Sequence, residues 1–180
     1  MADGLRRTDQ IARWIADVLV HGTGRNDAIL LAHAVQAGAD HAALDDLARA
    51  MAPSRERLME TLDQGTAFAR TVCAMTHRPL PPRALPVAVG EAAMTLHMPA
   101  DTVIALYLHS FAANLVSIAT RFAPLGQTEA QQMLAGLHPA IPPLAQWAAT
   151  ADLAALGSFS LGADLAAMRH ETLDVRLFRT

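Results

Sequence analysis

The clearest pattern of hydrophobic positions lies between Asp101 and Gln131, in the second half of the chain. Apolar side chains recur there at steps of three and four residues, which is the spacing of an α-helix. The stripe consists of Ile104, Tyr107, Leu108, Phe111, Leu115, Ile118 and Phe122. Because further apolar residues lie off this stripe, the pattern predicts a helix of about twenty residues that is apolar around most of its circumference and therefore buried.

A narrow line of polar side chains interrupts the apolar surface of this helix, and we call it the polar seam. It consists of Ser110, Asn114, Ser117 and Arg121, at spacings of four, three and four. An asparagine and an arginine on an otherwise apolar helix need hydrogen-bonding partners, because removing them from water is costly. Those partners can lie in the same chain or across a two-fold axis, and the pattern leaves both alternatives open.

Periodicity, helix caps and helix breakers together predict about eight helices and no strand. The ranges are 8–21, a second helix opened by Asn26 or Asp27, 42–51, 54–75, 87–97, the central helix from 101, 128–137 and 143–156. Ser54 is predicted to open the fourth helix, and Thr128 with Gln131 forms a capping-box pattern after the turn at residues 124–126. Gly65 inside the fourth helix costs ~1 kcal/mol relative to alanine, so we expect a neighbour to pack closely there.

Four prolines between residues 76 and 86 mark the clearest interruption of the chain and predict an extended connection. Neither side of it has a complete core, so we interpret residues 1–180 as a single all-α domain, a helical bundle or globule. Apolar residues make up 52% of the chain and charged residues 17%, against a typical ~25% charged. So much apolar surface predicts an oligomer or a stable complex.

Charge and composition exclude several classes of function. The net charge of −3 argues against nucleic-acid binding, which normally needs a basic face. All fourteen basic residues are arginine, so a P-loop nucleotidase, which needs a lysine, is excluded. Cys73 is the only cysteine, and the N-terminus lacks the apolar core of a signal peptide, which favours a reducing, cytoplasmic location. Residues 103–120 carry no formal charge, but the polar residues among them favour a buried helix over a membrane span.

No combination of residues predicts a catalytic or metal site. Cys73 and His77 stand four apart, but no second pair of metal ligands accompanies them. The segment at 157–162 lacks the G-x-S-x-G spacing of a serine hydrolase, and the neighbouring carboxylates Asp45 and Asp46 point to different sides of a helix. His33 and His109 are interpreted as hydrogen-bonded helix residues. One alternative stays open, a small-molecule pocket near Tyr107, His109 and Trp147.

The C-terminal sequence MRHETLDVRLFRT, residues 168–180, is unusual for a chain end. Chain ends without a role are usually polar and frayed, whereas this one alternates arginines with apolar residues. It contributes Met168, Arg169, His170, Glu171, Arg176, Leu177, Phe178 and Arg179 as candidate contact residues. The segment is interpreted as a docking tail that orders on a partner. The alternative is a last helix packed on its own domain.

Several of these segments together resemble the UreF family of urease accessory proteins. The resemblance rests on YLHSFAANLVSIATRFAPLGQTEAQQML and on the C-terminal MRHETLDVRLFRT, with WIADVLVHGTGRNDAILL and APSRERLMETLDQGTAF further upstream. It implies an all-α homodimer without catalytic activity of its own. In that family the protein bridges UreD (also called UreH) and the GTPase UreG, so that nickel is delivered to apo-urease in a GTP-dependent manner.

The resemblance also implies which surfaces bind partners, while nickel and GTP are handled by the partner proteins. The C-terminal segment would contact UreD. The polar seam and the turn after it, formed by Pro124, Leu125, Gly126 and Gln127, would serve self-association or another partner. A second possibility is regulation of the UreG GTPase, for which Arg121 is one candidate. Family members usually begin with a further segment of the type G-G-F-x-Y-S-x-G-L-E, which would precede residue 8 and is missing from this sequence.

Overall fold

A computed structural model of the chain describes residues 8–122 and 125–157. Within these ranges the protein is built of α-helices and short 3₁₀-helices, without a β-strand, which confirms the all-α prediction. The α-helices are α1 (Thr8–Val20), α2 (Thr23–Ala34), α3 (His41–Ala50), α4 (Arg55–Thr76), α5 (Leu85–Ala93), α6 (Ala100–Phe122), α7 (Gln127–Leu137) and α8 (Ile141–Ala148). The 3₁₀-helices are Met94–Leu96, His138–Ala140 and Leu153–Ala155.

Local signals account for most helix ends. Ser54 caps α4 as predicted, since its hydroxyl accepts a hydrogen bond from the Arg57 amide at 3.1 Å. The cap of α7 was predicted at the wrong residue. The Glu129 carboxylate accepts from the Gly126 amide at 2.9 Å, so the helix begins one residue earlier than Thr128.

Two helices differ more clearly from the prediction. Helix α2 begins at Thr23, before the predicted caps Asn26 and Asp27, because both of these side chains are buried and bonded to distant parts of the chain. Helix α8 ends at Ala148, and the remainder of the predicted 143–156 helix is a turn followed by a 3₁₀-helix.

The main core is formed by α1, α2, α6, α7 and α8. Its fully buried large side chains are Ile15 and Leu19 from α1, Ile29 and Leu31 from α2, and Ile104 and Leu108 from α6. A smaller cluster lies between α2, α3 and α5, where Leu30, Leu44 and Val87 meet. Helix α2 contributes to both clusters, and it is therefore the element on which the others are assembled.

Helix α5 lies unusually close to its neighbours. A Cβ atom on Gly65 of α4 would overlap the carbonyl oxygen of Arg83, which confirms the expected close packing at this glycine. The end of the proline-rich connection is held by side chains as well. Asp45 accepts from the Ala84 amide at 2.6 Å, and Thr61 accepts from the Leu85 amide at 3.2 Å.

Helix α6 is buried on one side only, which corrects the expectation of a helix enclosed around most of its circumference. Ile104, Tyr107 and Leu108 are buried, whereas Ile118 and Phe122 of the same predicted stripe are 39% and 56% exposed. The described neighbours of α6 leave its polar seam and the C-terminal end of this stripe uncovered. It is also the one described helix that is long and apolar enough to cross a membrane, and 33% of its most apolar stretch is buried. Core helices of soluble proteins meet the same criterion.

Candidate partner-binding surface

The outer side of α6 carries the polar seam. Ser110, Asn114, Ser117 and Arg121 are all exposed to solvent. The premise that burial forces Asn114 and Arg121 to find partners is therefore wrong for the chain alone, because water can solvate both side chains. Ser110 donates to the Leu106 carbonyl oxygen at 3.0 Å. The seam is not closed by contacts with the rest of the described chain, so its groups remain available to another molecule.

Large apolar side chains are also exposed on α6, beside the seam and near the C-terminal end of the helix. Leu106 is 57% exposed, and Ile118 and Phe122 are also accessible. We call this surface the α6 face, and it comprises Leu106, Ser110, Asn114, Ser117, Ile118, Arg121 and Phe122. Exposed apolar groups next to small polar ones are typical of surfaces that bind protein partners.

The α6 face continues into a groove of about 680 Å³ between α4, the proline-rich connection, α5 and α6. Phe68, Val72, Leu80 and Leu96 are among its apolar walls. The residues that it shares with the α6 face are Leu106, Ser110 and Asn114. Among the described residues, Arg78 is the only charged one in the lining. The groove thus extends the α6 face into a continuous, largely apolar and uncharged surface.

The three residues of the small-molecule hypothesis do not share this groove. Tyr107 lines it, but His109 and Trp147 lie elsewhere. The His109 ring lies 5.1 Å from the His138 ring, and Trp147 stacks against Arg25. A pocket built from this trio is therefore contradicted by the structure.

A buried polar network lies behind the groove and connects three helices. The Tyr107 hydroxyl of α6 donates to Asp27 Oδ2 of α2 at 2.7 Å. Arg57 of α4 lies 3.4 Å from the same oxygen and donates to Glu60 at 2.9 Å. The Arg57 guanidinium also lies 5.9 Å from the centre of the Phe111 ring. The network fixes α6 relative to α2 and α4, and so holds the α6 face in place.

Burial determines the electrostatics of this network. Desolvation raises the pKa of Asp27 above 3.8, and the charge of Arg57 and the hydrogen bond from Tyr107 offset part of that rise. Desolvation, together with the negative charge of Asp27, also raises the pKa of Tyr107 well above 10.0. Burial lowers the pKa of Arg57, but Asp27 and Glu60 outweigh this and leave it raised. The network therefore contains a firmly charged arginine and a tyrosine that stays neutral.

The turn after α6 is described from Leu125 onward, and Pro124 lies outside the described residues. Leu125 is half-buried against the main core, whereas Gly126 and Gln127 are exposed. This part of the predicted contact region therefore lies at the surface, next to the C-terminal end of α6.

The predicted tail, residues 168–180, lies outside the described residues, but the segment that leads to it is held by α2. The Arg25 guanidinium donates to the carbonyl oxygen of Ala155 at 2.7 Å. Asn26 accepts from the Gly157 amide at 3.1 Å, and His33 Nε2 donates to the Ala151 carbonyl oxygen at 3.0 Å.

The role of Arg25 and Asn26 was missed in the sequence, although His33 was correctly interpreted as a hydrogen-bonded residue. The partners of Arg25 and Asn26 lie 130 to 132 positions away along the chain. The available signal is two adjacent polar residues, Arg25 and Asn26, early in a helix that is otherwise mostly apolar, but it does not identify the partners.

In the described part of the chain, the candidate metal ligands and the acidic pair Asp45 and Asp46 do not form a metal or acid–base site. Among the described residues no group of three or more His, Cys, Asp or Glu side chains is placed to hold a metal ion. Cys73 accepts from the Leu80 amide at 3.1 Å, and His77 is exposed with a left-handed φ of 56°. Asp45 is buried and Asp46 exposed, as their adjacent positions on a helix predict.

Comparison with known proteins places these features in a family. The family model described as UreF matches residues 5–138. The urease accessory protein UreF of Cereibacter sphaeroides strain ATCC 17023 is 64% identical over 168 residues, covering 93% of this chain and 80% of that protein. The corresponding protein of Paracoccus denitrificans is 56% identical over 170 residues, covering 94% and 79%. That of Roseobacter denitrificans is 44% identical over 177 residues, covering 98% and 80%. The resemblance is thereby confirmed, and the chain belongs to the UreF family of urease accessory proteins.

Proposed function

We propose that this chain acts in urease maturation as a non-catalytic, cytoplasmic adaptor between UreD and the GTPase UreG. In this role it helps to deliver nickel to apo-urease in a GTP-dependent manner, while nickel and GTP are bound by its partners. The α6 face carries the proposal, since it leaves apolar and hydrogen-bonding groups exposed in a chain similar to UreF proteins over 93% of its length.

The α6 face is proposed to associate with a second copy of the chain. Ser110 and Ser117 are small, so the backbone of another helix can approach closely, and Phe122 and Arg121 are residue types enriched in interfaces. A two-fold axis would pair each face with its own copy, as in most homodimers. Leu106 and Ile118, which are exposed in the single chain, would then be covered.

The tail is proposed to bind UreD. The segment before it, residues 151–157, is held against α2. The sequence of the tail combines Arg176 and Arg179 with Leu177 and Phe178. Arginine and aromatic side chains provide much of the binding energy in protein interfaces. Such a segment can lose its conformational freedom on binding and still provide affinity.

Deleting residues 174–180 tests this assignment. We expect the shortened chain to lose co-purification with UreD while its helical circular dichroism is unchanged, because a tail that orders on its partner does not support the helices of the free chain. The variant Arg13→Ala serves as the control, since Arg13 pairs with Asp9 on the exposed side of α1. Recovery of UreD at the level of the full chain would contradict the proposed role of the tail.

One observation favours a second candidate function, regulation of UreG. Arg121 is exposed at the C-terminal end of α6 and forms no ion pair with the described residues. An arginine supplied by a partner can stabilise the charge that develops during GTP hydrolysis. GTP turnover by UreG should then change when this protein is added, and the change should be lost with Arg121→Ala but kept with the exposed Arg70→Ala. Equal turnover with and without the protein would exclude this function.

A further inference from the structure

The segment after α8, residues 151–157, is held mainly through its backbone. Side chains of α2 bind the carbonyl oxygens of Ala151 and Ala155 and the amide of Gly157. The Gly157 carbonyl oxygen is also within 3.4 Å of the Arg25 guanidinium. We call Arg25, Asn26 and His33 the α2 clasp.

The clasp is supported by packing on both of its sides. The Arg25 guanidinium lies 4.4 Å from the centre of the Trp147 ring of α8, at the distance of a cation–π contact. Asn26 is only 7% exposed, so little water competes for its hydrogen bond. Leu153 and Leu156 pack against both hydrophobic clusters. The clasp therefore joins a short and irregular segment to the most central helix of the fold.

The clasp also affects the residues that follow Gly157, because it fixes the backbone from which they continue. Gly157 is the last described residue, and its amide and carbonyl groups are both bound by α2 side chains. The position of the backbone at Gly157, from which the chain continues toward residues 158–180, is therefore set by Arg25 and Asn26. A segment that starts from a fixed point loses less conformational freedom on binding than one that starts from a mobile one.

We infer that the α2 clasp is a positioning device for the C-terminal tail, residues 168–180. By fixing the backbone at Gly157, it sets the point from which the chain runs to the tail and its partner. This inference deepens the proposed function and rests on its assignment of UreD to the tail. Arg25, Asn26 and His33 need not touch the partner, because they act through the backbone of 151–157.

Hydrogen exchange of the full chain tests the clasp without a partner. We expect Arg25→Ala to raise the exchange rate of the amides in 151–157 at least ~10-fold, because local opening no longer breaks those bonds, while amides of α1 and α6 keep their protection. Arg25→Lys keeps a cationic donor and should restore part of the protection. Arg13→Ala is the matched control. Unchanged exchange at 151–157 in Arg25→Ala would overturn the inference.

The affinity for UreD tests whether the clasp positions the tail for binding. Arg25→Ala should weaken the binding of UreD at least ~10-fold in the full chain, whereas the control Arg13→Ala should leave the affinity unchanged. Weaker binding together with lost amide protection in α1 and α6 would indicate general destabilisation and contradict the inference, and so would faster exchange at 151–157 without weaker binding. If deletion of 174–180 leaves UreD binding intact, the proposed function fails, whereas the exchange result still decides whether the clasp orders 151–157.

Discussion

The Asp27 carboxyl group of α2 binds partners from two other helices. It is buried on α2, yet it accepts the Tyr107 hydrogen and lies beside the Arg57 guanidinium. A carboxyl group buried without such partners is strongly destabilising. Because its partners come from α6 and α4, Asp27 contributes to holding three helices in register.

Tyr107→Phe tests this network. We expect the free energy of unfolding to fall by about 1–3 kcal/mol at pH 7, because Asp27 loses one of its hydrogen bonds. The raised pKa of Tyr107 adds a pH dependence, since the stabilisation by the neutral phenol is complete below pH 10.0 and is lost as the pH rises through the raised value. Urea denaturation at several pH values should show the wild type losing stability above pH 10.0, without that loss in the variant.

Ultraviolet absorbance can follow the phenol directly, because the chain contains one tyrosine. Ionisation of the native protein with a midpoint near the ordinary 10.0 would contradict a buried, hydrogen-bonded Tyr107. The exposed Thr71→Val, which removes only a hydroxyl bonded to the Ala67 carbonyl of its own helix, is a control of similar chemistry.

Two glycines in helices should respond oppositely to alanine. Gly65→Ala forces a Cβ against the Arg83 carbonyl oxygen, so α4 and α5 must separate, and we expect a loss of about 2–4 kcal/mol. Gly136→Ala meets no atom within 4 Å and should stabilise α7 by up to ~1 kcal/mol. Thermal unfolding of both variants measures the difference. Similar melting temperatures for the two would rule out the close approach at Gly65.

Helix α6 combines two surfaces with different roles. Its inner side, with Ile104 and Leu108, belongs to the main core. Its outer side combines exposed apolar residues with the polar seam and opens into the groove. The apolar excess seen in the sequence is therefore not all absorbed by the core, and part of it lies on α6, where another molecule can cover it.

Leu106→Glu tests the α6 face as a self-association surface. A carboxylate at the centre of an apolar contact is desolvated without a partner, so we expect the dissociation constant of the dimer to rise at least ~10-fold. Light scattering after size-exclusion chromatography over a range of concentrations measures it. Gln132→Glu introduces the same charge on the exposed side of α7 and should have no effect. A mass that stays monomeric for the wild type at all concentrations would contradict the homodimer.

Long-range hydrogen bonds join the helices into one body. Asp45 of α3 accepts from the Ala84 amide, 39 positions later, and also binds Arg49 at 2.8 Å. Tyr107 reaches Asp27 over 80 positions, and Gly157 reaches Asn26 over 131. The connection between α4 and α5, the groove and the backbone at Gly157 are thus each fixed by one or two buried polar residues.

The neighbouring residues Asp45 and Asp46 provide a matched test of these contacts. Asp45→Ala leaves the buried Ala84 amide without its acceptor and should lower the free energy of unfolding by about 2–3 kcal/mol. Asp46→Ala changes an exposed side chain and should stay within about 0.5 kcal/mol of the wild type. Urea denaturation of both variants distinguishes them. Equal stabilities would mean that the Asp45 bond does not hold the connection.

Helix positions were predictable because their causes are local. The 3.6-residue spacing, the Ser54 cap, and the prolines after His77 each act within a few residues, so seven of the eight helices begin within about two residues of their predicted starts. The close packing at Gly65 was predictable for the same reason, since a glycine inside a helix is unfavourable unless a neighbour requires it. Family membership was predictable from segments spread along the chain.

The exposure of α6 and the clasp on 151–157 depend on tertiary structure, because they arise between residues that are far apart in the chain. The polar seam has the same spacing whether α6 is enclosed or open on one side, and only the arrangement of α1, α2, α7 and α8 around α6 leaves it exposed. Likewise, Asn26 looks like a helix cap until folding brings Gly157 beside it. Local spacing restricts which side chains share a helix face, whereas the packing of the whole chain decides which face meets water.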